Sequence, residues 1–194
     1  MIKLFGFNKI KASVFISGKG SNFKNLFKFS LAEKSPIEIV LVVSNNSKAK
    51  GLIFAKKKNI KNKVFNLINK KDAENKILKE LKKEKVDLIC LAGFMKILSK
   101  NFIQKFKGKI INIHPSLLPK YKGLNTHFRA IKNKDKYSGC TVHFVNSKLD
   151  SGKIILQKKI KIKKKDTPKS LSKRILKEEH ILYPKAIKKI YSNL

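Results

Sequence analysis

The sequence predicts an α/β fold: a doubly wound, mostly parallel sheet carrying helices on both faces, in three layers. Three observations lead there. β-branched runs alternate with helix-spaced segments, the pattern of right-handed strand–helix–strand units. Two of the runs, residues 37–44 and 86–92, are apolar nearly throughout, as parallel strands covered on both faces are. Turn-forming residues then fall where runs end, as at Gly18 and Gly20, Asn45-Asn46 and Pro115.

Residues 1–11 precede the first run and are read as an extension, which leaves 12–194 as one domain without an internal boundary. Residues 12–16 are the first strand. They lead into Ser17-Gly18-Lys19-Gly20-Ser21-Asn22 and a helix start at Phe23. A strand, a glycine turn and a helix N-terminus together cradle phosphate with backbone N–H groups. Phe23 occupies the place of the third glycine of a dinucleotide pattern, so NAD is disfavoured. The second strand covers 37–44, and a helix follows over 49–58. A short strand lies around Lys63-Val64-Phe65, then a lysine-rich helix from about Asp72 to Lys83. The strand at 86–92 runs into Gly93-Phe94-Met95-Lys96-Ile97-Leu98.

Next comes Ile110-Ile111-Asn112-Ile113-His114-Pro115, a β-branched run with two polar residues at i and i+2. Side chains alternate along a strand, so Asn112 and His114 project from one face, about 7 Å apart at Cα. Pro115 pushes His114 toward extended geometry and ends the ladder. In open α/β sheets that carboxyl edge is where ligands bind. An amide N–H and a protonated imidazole there can both donate to a developing oxyanion. A helix through Lys132, a strand over 140–145, a turn-rich loop carrying Asp150, and a strand from Ile154 toward Ile162 follow. Asp166 or Thr167 caps the last helix, with Pro168 in its first turn. Leu171, Ile175 and Leu176 form its apolar stripe, and it reaches Glu178-Glu179-His180-Ile181-Leu182-Tyr183-Pro184.

Composition excludes several classes. Hydrophobic residues make up 42% of 194, enough for a core, yet no apolar run approaches the roughly 20 residues of a membrane span. The apolar start is too short for a secretion signal and lacks a small-residue cleavage site. Cys90 and Cys140 lie in strand-like runs and suggest no disulfide framework, so a soluble cytoplasmic protein is expected. The four histidines show no ligand spacing, and no metal is predicted. The net charge of +35 invites a nucleic-acid reading. Against it, only Arg129 and Arg174 carry the planar fork that specific recognition favours, and the lysines are spread over every segment. They read as solvated faces that help steer phosphate-bearing substrates, with no specific nucleic-acid partner.

The string Asn112-Ile113-His114-Pro115-Ser116-Leu117-Leu118-Pro119, followed by Lys120-Tyr121-Lys122-Gly123, resembles the active-site segment of the phosphoribosylglycinamide formyltransferases. These are folate enzymes of purine synthesis within the wider formyltransferase family. Without the string, the segment would read as a buried strand with one satisfied histidine. The resemblance runs from about residue 12 to 190 and implies the Rossmann-like fold of that family. It implies that Gly20, Ser21 and Asn22 hold the ribonucleotide phosphate and that Glu179 contacts the ribose. Met95, Lys96, Ile97 and Leu98 are implied to contact folate, with Asn112 and Lys71. Lys96 departs from an arginine of the family pattern, and Asn125 stands where the family often has histidine. Asp150, in Leu149-Asp150-Ser151-Gly152, becomes the third member of the site.

The implied reaction is direct formyl transfer from 10-formyltetrahydrofolate, the co-substrate, to the amine of 5'-phosphoribosylglycinamide. Asn112 and protonated His114 stabilise the oxyanion. Asp150 raises the histidine pKa and orients a proton-relaying water. Alternatives are formyltetrahydrofolate hydrolase, which usually has an extra N-terminal domain, and methionyl-tRNA formyltransferase, which needs a C-terminal RNA-binding domain. A lysine-rich nucleic-acid-binding module is the non-enzymatic alternative. A monomer or a homodimer is expected.

Overall fold

The alternating runs form β1 (Ile10–Ile16), α1 (Ser21–Ser30), β2 (Ile37–Ser44), α2 (Lys50–Lys57), β3 (Asn62–Val64) and α3 (Lys70–Lys83). The chain continues through β4 (Leu88–Leu91), α4 (Lys100–Lys105), β5 (Lys109–His114), α5 (Thr126–Lys132), β6 (Tyr137–Phe144), β7 (Ile154–Lys161) and α6 (Pro168–Ile190). The structure is a computed structural model and describes residues 9–191. Of the extension expected over 1–11, residues 1–8 lie outside the described residues. Ile10 and Lys11 are already strand, because Ile10 pairs with Ile37 and Lys11 with Glu38.

One seven-stranded sheet has the order β3-β2-β1-β4-β5-β6-β7. The first five are mutually parallel; β6 runs antiparallel to β5 and β7 antiparallel to β6. The chain steps from β1 outward to β3, then returns to place β4 on the other side of β1. This reversal is a topological switch point, where loops after neighbouring strands diverge and leave a crevice. The glycine turn follows β1 and the Met95 loop follows β4, so the crevice opens between them.

Alternation along β1 sets the three layers. Ala12, Val14 and Ile16 face one core with Phe23 and Leu26 of α1, Leu52 and Ala55 of α2, and Leu171, Ile175 and Tyr183 of α6. Phe15 faces the other, with Ile77 and Leu81 of α3 and Phe102 of α4. The short helix α4 was not expected from the sequence. Its six residues are too few for a periodic signal, and Ser99 starts it by accepting a hydrogen bond from the Phe102 N–H.

Helix α6 runs six residues past Pro184, where the sequence reading stopped. A proline inside a helix withholds the N–H that would bond the carbonyl four residues back. That carbonyl belongs to His180, and Asn25 Nδ2 of α1 donates to it at 2.6 Å. A neighbouring helix thus supplies the missing donor. One residue from the proline, Tyr183 is fully buried and its hydroxyl donates to the Leu91 and Ile111 carbonyls at 3.0 and 3.2 Å. Cys90 and Cys140 are buried and not disulfide-bonded, and burial pushes both thiols up to about 12. Among the described residues no helix is long and apolar enough to cross a membrane.

Candidate active site

Strand β5 delivers Asn112 and His114 to one sheet face, as their spacing requires. The antiparallel register then sets His143 beside Asn112 and Thr141 beside His114. The register shift between Val142 and His143 lies on the β7 side, where Ile155 is the extra residue, so the β5–β6 pairing runs unbroken through His143. Asp150 comes from the loop that follows. Its own φ of +44 bends the carboxylate back over the sheet edge. Gly152 lets that loop close, since a Cβ there would stand 1.7 Å from the Phe144 carbonyl oxygen.

The four side chains form one cluster. Asp150 Oδ2 lies 3.4 Å from His114 Nδ1 and accepts from the Gly123 N–H at 2.8 Å. Asp150 Oδ1 lies 3.5 Å from Asn112 Nδ2 and 3.6 Å from His143 Nε2. His114 Nε2–H donates to the Tyr121 carbonyl at 2.8 Å. His143 Nδ1–H donates to the Phe144 carbonyl at 2.8 Å, which leaves its Nε2 to accept from Asn112 Nδ2 at 3.2 Å. One amide N–H of Asn112 is therefore held by His143. The other points toward Asp150 at a distance too long for a strong bond.

Electrostatics correct one expectation. Asp150 was expected to raise the His114 pKa; the pKa is instead lowered from its ordinary 6.5. Burial is the largest cause, and it outweighs the Tyr121 carbonyl and the Asp150 carboxylate, which both favour the charged ring. With only 7% of its side chain exposed, the ring loses more solvation than two acceptors return. Burial also pushes Asp150 up, but contacts with His143, the Gly123 N–H and the His114 charge hold its carboxyl below the usual range.

On the β1 side, Gly20 adopts φ +70 as the N-cap of α1, and no side chain caps the helix. Its first-turn N–H groups thus face outward toward any anion. Gly20 also meets Gly51 of α2, whose Cα would be 3.0 Å from an added Cβ. Asn22, buried, donates through Nδ2 to Glu179 Oε2 at 2.6 Å, while its Oδ1 has no partner. Glu179 is 7% exposed, which removes the reading of a solvated helical glutamate. Burial raises its pKa, and the Asn22 bond offsets this only in part.

Between the turns after β1, β2 and β4 lies a cavity of about 540 Å³ lined by Ser17, Asn45, Asn46, Ile68, Met95 and Lys96 among others. Ser17 ties its walls together: its Oγ donates to Asn45 Oδ1 at 2.5 Å and accepts from the Met95 N–H at 2.8 Å. Met95, Lys96 and Ile97 are exposed on the rim. The Leu98 side chain instead joins the core beside α3 and α4, leaving its backbone for any contact. Lys71 is exposed on the first turn of α3 and does not line this cavity. Among the described residues no cluster of three or more His, Cys, Asp or Glu side chains could hold a metal.

Sequence reasoning missed His143 and Ser17. The signal for His143 was present in Thr141-Val142-His143, two polar residues alternating within an apolar strand, but its meaning depended on β6 pairing with β5. Ser17 gave no signal beyond closing a strand.

A model of the formyl transferase family matches residues 10–187. The phosphoribosylglycinamide formyltransferase of Haemophilus influenzae is 44% identical over 181 residues, 92% of this chain and 85% of that protein. The chain belongs to the phosphoribosylglycinamide formyltransferase family. The crystal structure of the Brucella melitensis phosphoribosylglycinamide formyltransferase superposes with a TM-score of 0.91 at 42% identity, over 96% of this chain and 98% of that one. The Anaplasma phagocytophilum formyltransferase gives 0.87 at 43%, over 93% and 86%. The human trifunctional purine biosynthetic protein adenosine-3 is 41% identical over 193 residues, and the chain spans only 19% of its length. The mostly parallel Rossmann-like sheet read from the sequence is the fold shared with these formyltransferases.

Proposed function

We propose that this chain transfers the formyl group of 10-formyltetrahydrofolate to the amine of 5'-phosphoribosylglycinamide. The observation that carries the reading is the meeting of Asn112, His114 and Asp150 at the carboxyl end of β5, on the same sheet edge as the glycine turn of α1. In this reading Gly20, Ser21 and Asn22 hold the substrate phosphate and Glu179 takes the ribose. Met95, Lys96, Ile97, the Leu98 backbone and Lys71 serve the folate. The amine attacks the formyl carbon, a C–N bond forms, and the carbonyl electron pair moves to oxygen. The Asn112 N–H now turned to Asp150 donates to that oxyanion.

His114 joins it by a corrected route. Burial disfavours the charged ring in the empty protein, and substrate phosphate and the oxyanion favour it when they bring negative charge close. Its Nδ1 edge, 3.4 Å from Asp150, is the one an oxyanion can engage. Asp150 then orients the water that carries the amine proton to the departing folate nitrogen as the C–N bond to folate breaks. His143 sets the Asn112 amide. The reading places the enzyme in the cytoplasm as a monomer or homodimer, without a specific nucleic-acid partner.

Formyl product measured with phosphoribosylglycinamide, water or charged initiator tRNA as acceptor tests the assignment; only the first should give product. Loss of one oxyanion donor costs about 10²–10³ in kcat. Asn112→Ala should fall in that range with its fold intact. Near-full activity in that variant would remove the amide from the mechanism.

A further inference from the structure

Arg129, on α5, touches none of the reacting groups, yet it braces the turn that holds two of them. Its Nη1 donates to the Lys122 carbonyl at 2.8 Å and reaches the Leu124 carbonyl at 3.5 Å. Its guanidinium lies 4.9 Å from the centre of the Tyr121 ring. The turn so gripped makes two contacts with the site. The Tyr121 carbonyl accepts from His114 Nε2, and the Gly123 N–H donates to Asp150 Oδ2, both at 2.8 Å. Tyr121 holds φ +56, a left-handed conformation that a bulky residue rarely adopts. Its hydroxyl is pinned as well, donating to Asp135 Oδ2 at 2.8 Å and accepting from Asn133 Nδ2 at 2.9 Å. Conformations of this kind persist only where the surroundings over-determine them.

We propose that Arg129 is a positioning residue for formyl transfer. By bridging the 121–124 turn it holds the His114 acceptor and an Asp150 donor at their working distances. One nitrogen of the planar guanidinium donates to the Lys122 carbonyl while its centre lies over the Tyr121 ring, a stacked arrangement that the compact charge of a lysine does not reproduce. In a chain whose other basic residues, apart from Arg174, are lysine, this position holds an arginine.

The inference rests on the proposed function, and its test separates the two. The kcat, both KM values and the His114 titration in the ligand-free protein, followed by NMR, are measured in Arg129→Lys and Arg129→Ala. Misplacement of about 1 Å costs up to about 10²-fold. We expect kcat to fall about 10-fold for lysine and up to about 100-fold for alanine, with KM within about twofold. The His114 midpoint should move down in Arg129→Lys, where the positive charge that itself lowers the His114 pKa is kept and only the Tyr121 contact loosens, in a pocket where Asp150, His143 and His127 also bear on the ring. If the alanine variant fails to fold, Tyr121→Phe, which removes the hydroxyl anchor, takes its place with the same expected direction. Unchanged kcat and an unchanged His114 midpoint in folded variants overturn the proposal. Were the parent protein to make no product with any acceptor, the functional reading would fail, while the titration, which needs no substrate, would still decide the brace.

Discussion

Acceptors at both ring nitrogens favour the charged form of a histidine, yet the pKa of His114 is lowered from 6.5 because burial is the larger effect. Glu179 obeys the same balance with the opposite sign. Its native pKa lies above the ordinary 4.5, so its carboxyl adds stability below that value and loses it as pH rises through the native pKa. Near neutrality the buried carboxylate is a cost to the fold. Glu179→Gln should therefore gain stability relative to the parent between about pH 4.5 and neutrality. The same variant should raise KM for the ribonucleotide about tenfold, the loss of one charged hydrogen bond. Thermal melts across pH, paired with KM, check this; a glutamine variant less stable at pH 7 than at pH 4, relative to the parent, would contradict it. Of the cluster, Asn112 and His114 were legible because two-residue spacing lies within one strand. His143 and the sign of the His114 shift were not, since cross-strand pairing and depth of burial are properties of the assembled sheet.

Elements were legible where a period had room to repeat. The strands at 37–44 and 86–92 and helix α3 stand within a few residues of their expected places. The exceptions are instructive. Six-residue α4 is too short to show a period, and α6 passes through Pro184 because α1 repairs the ladder from outside. Asn25→Ala would strand the His180 carbonyl without a donor, at a cost of about 1–3 kcal/mol. Urea unfolding should report that loss, with the α1–α6 contact weakened and the Asn22–Glu179 bond beside it disturbed. A midpoint equal to the parent's would mean that water satisfies the carbonyl instead.

Across the whole molecule, the charge of +35 favours the approach of the anionic substrates of the proposed reaction. Exposed lysines act over a Debye length of about 10 Å at 0.1 M salt and fade beyond it. Raising salt from about 0.05 to 0.3 M should lower kcat/KM for the anionic substrate several-fold by weakening steering, while kcat stays level. Stopped-flow or initial-rate measurements over that range test it; a falling kcat would point to screening inside the site. The lysine enrichment gave no clue to the fold, because solvated positions accept it without altering the buried alternation that sets the layers.

The unbroken alternation that sets His143 beside Asn112 imposes a rule of counting on this enzyme's ancestry. A strand inverts its two sides whenever one residue is gained or lost, so a single deletion within β6 would send His143 toward the opposite layer. Substitutions accumulate freely across the solvent-facing positions, but a gain or loss within β6 ahead of His143 must come in pairs or not at all. Composition is free to wander here, and length is not.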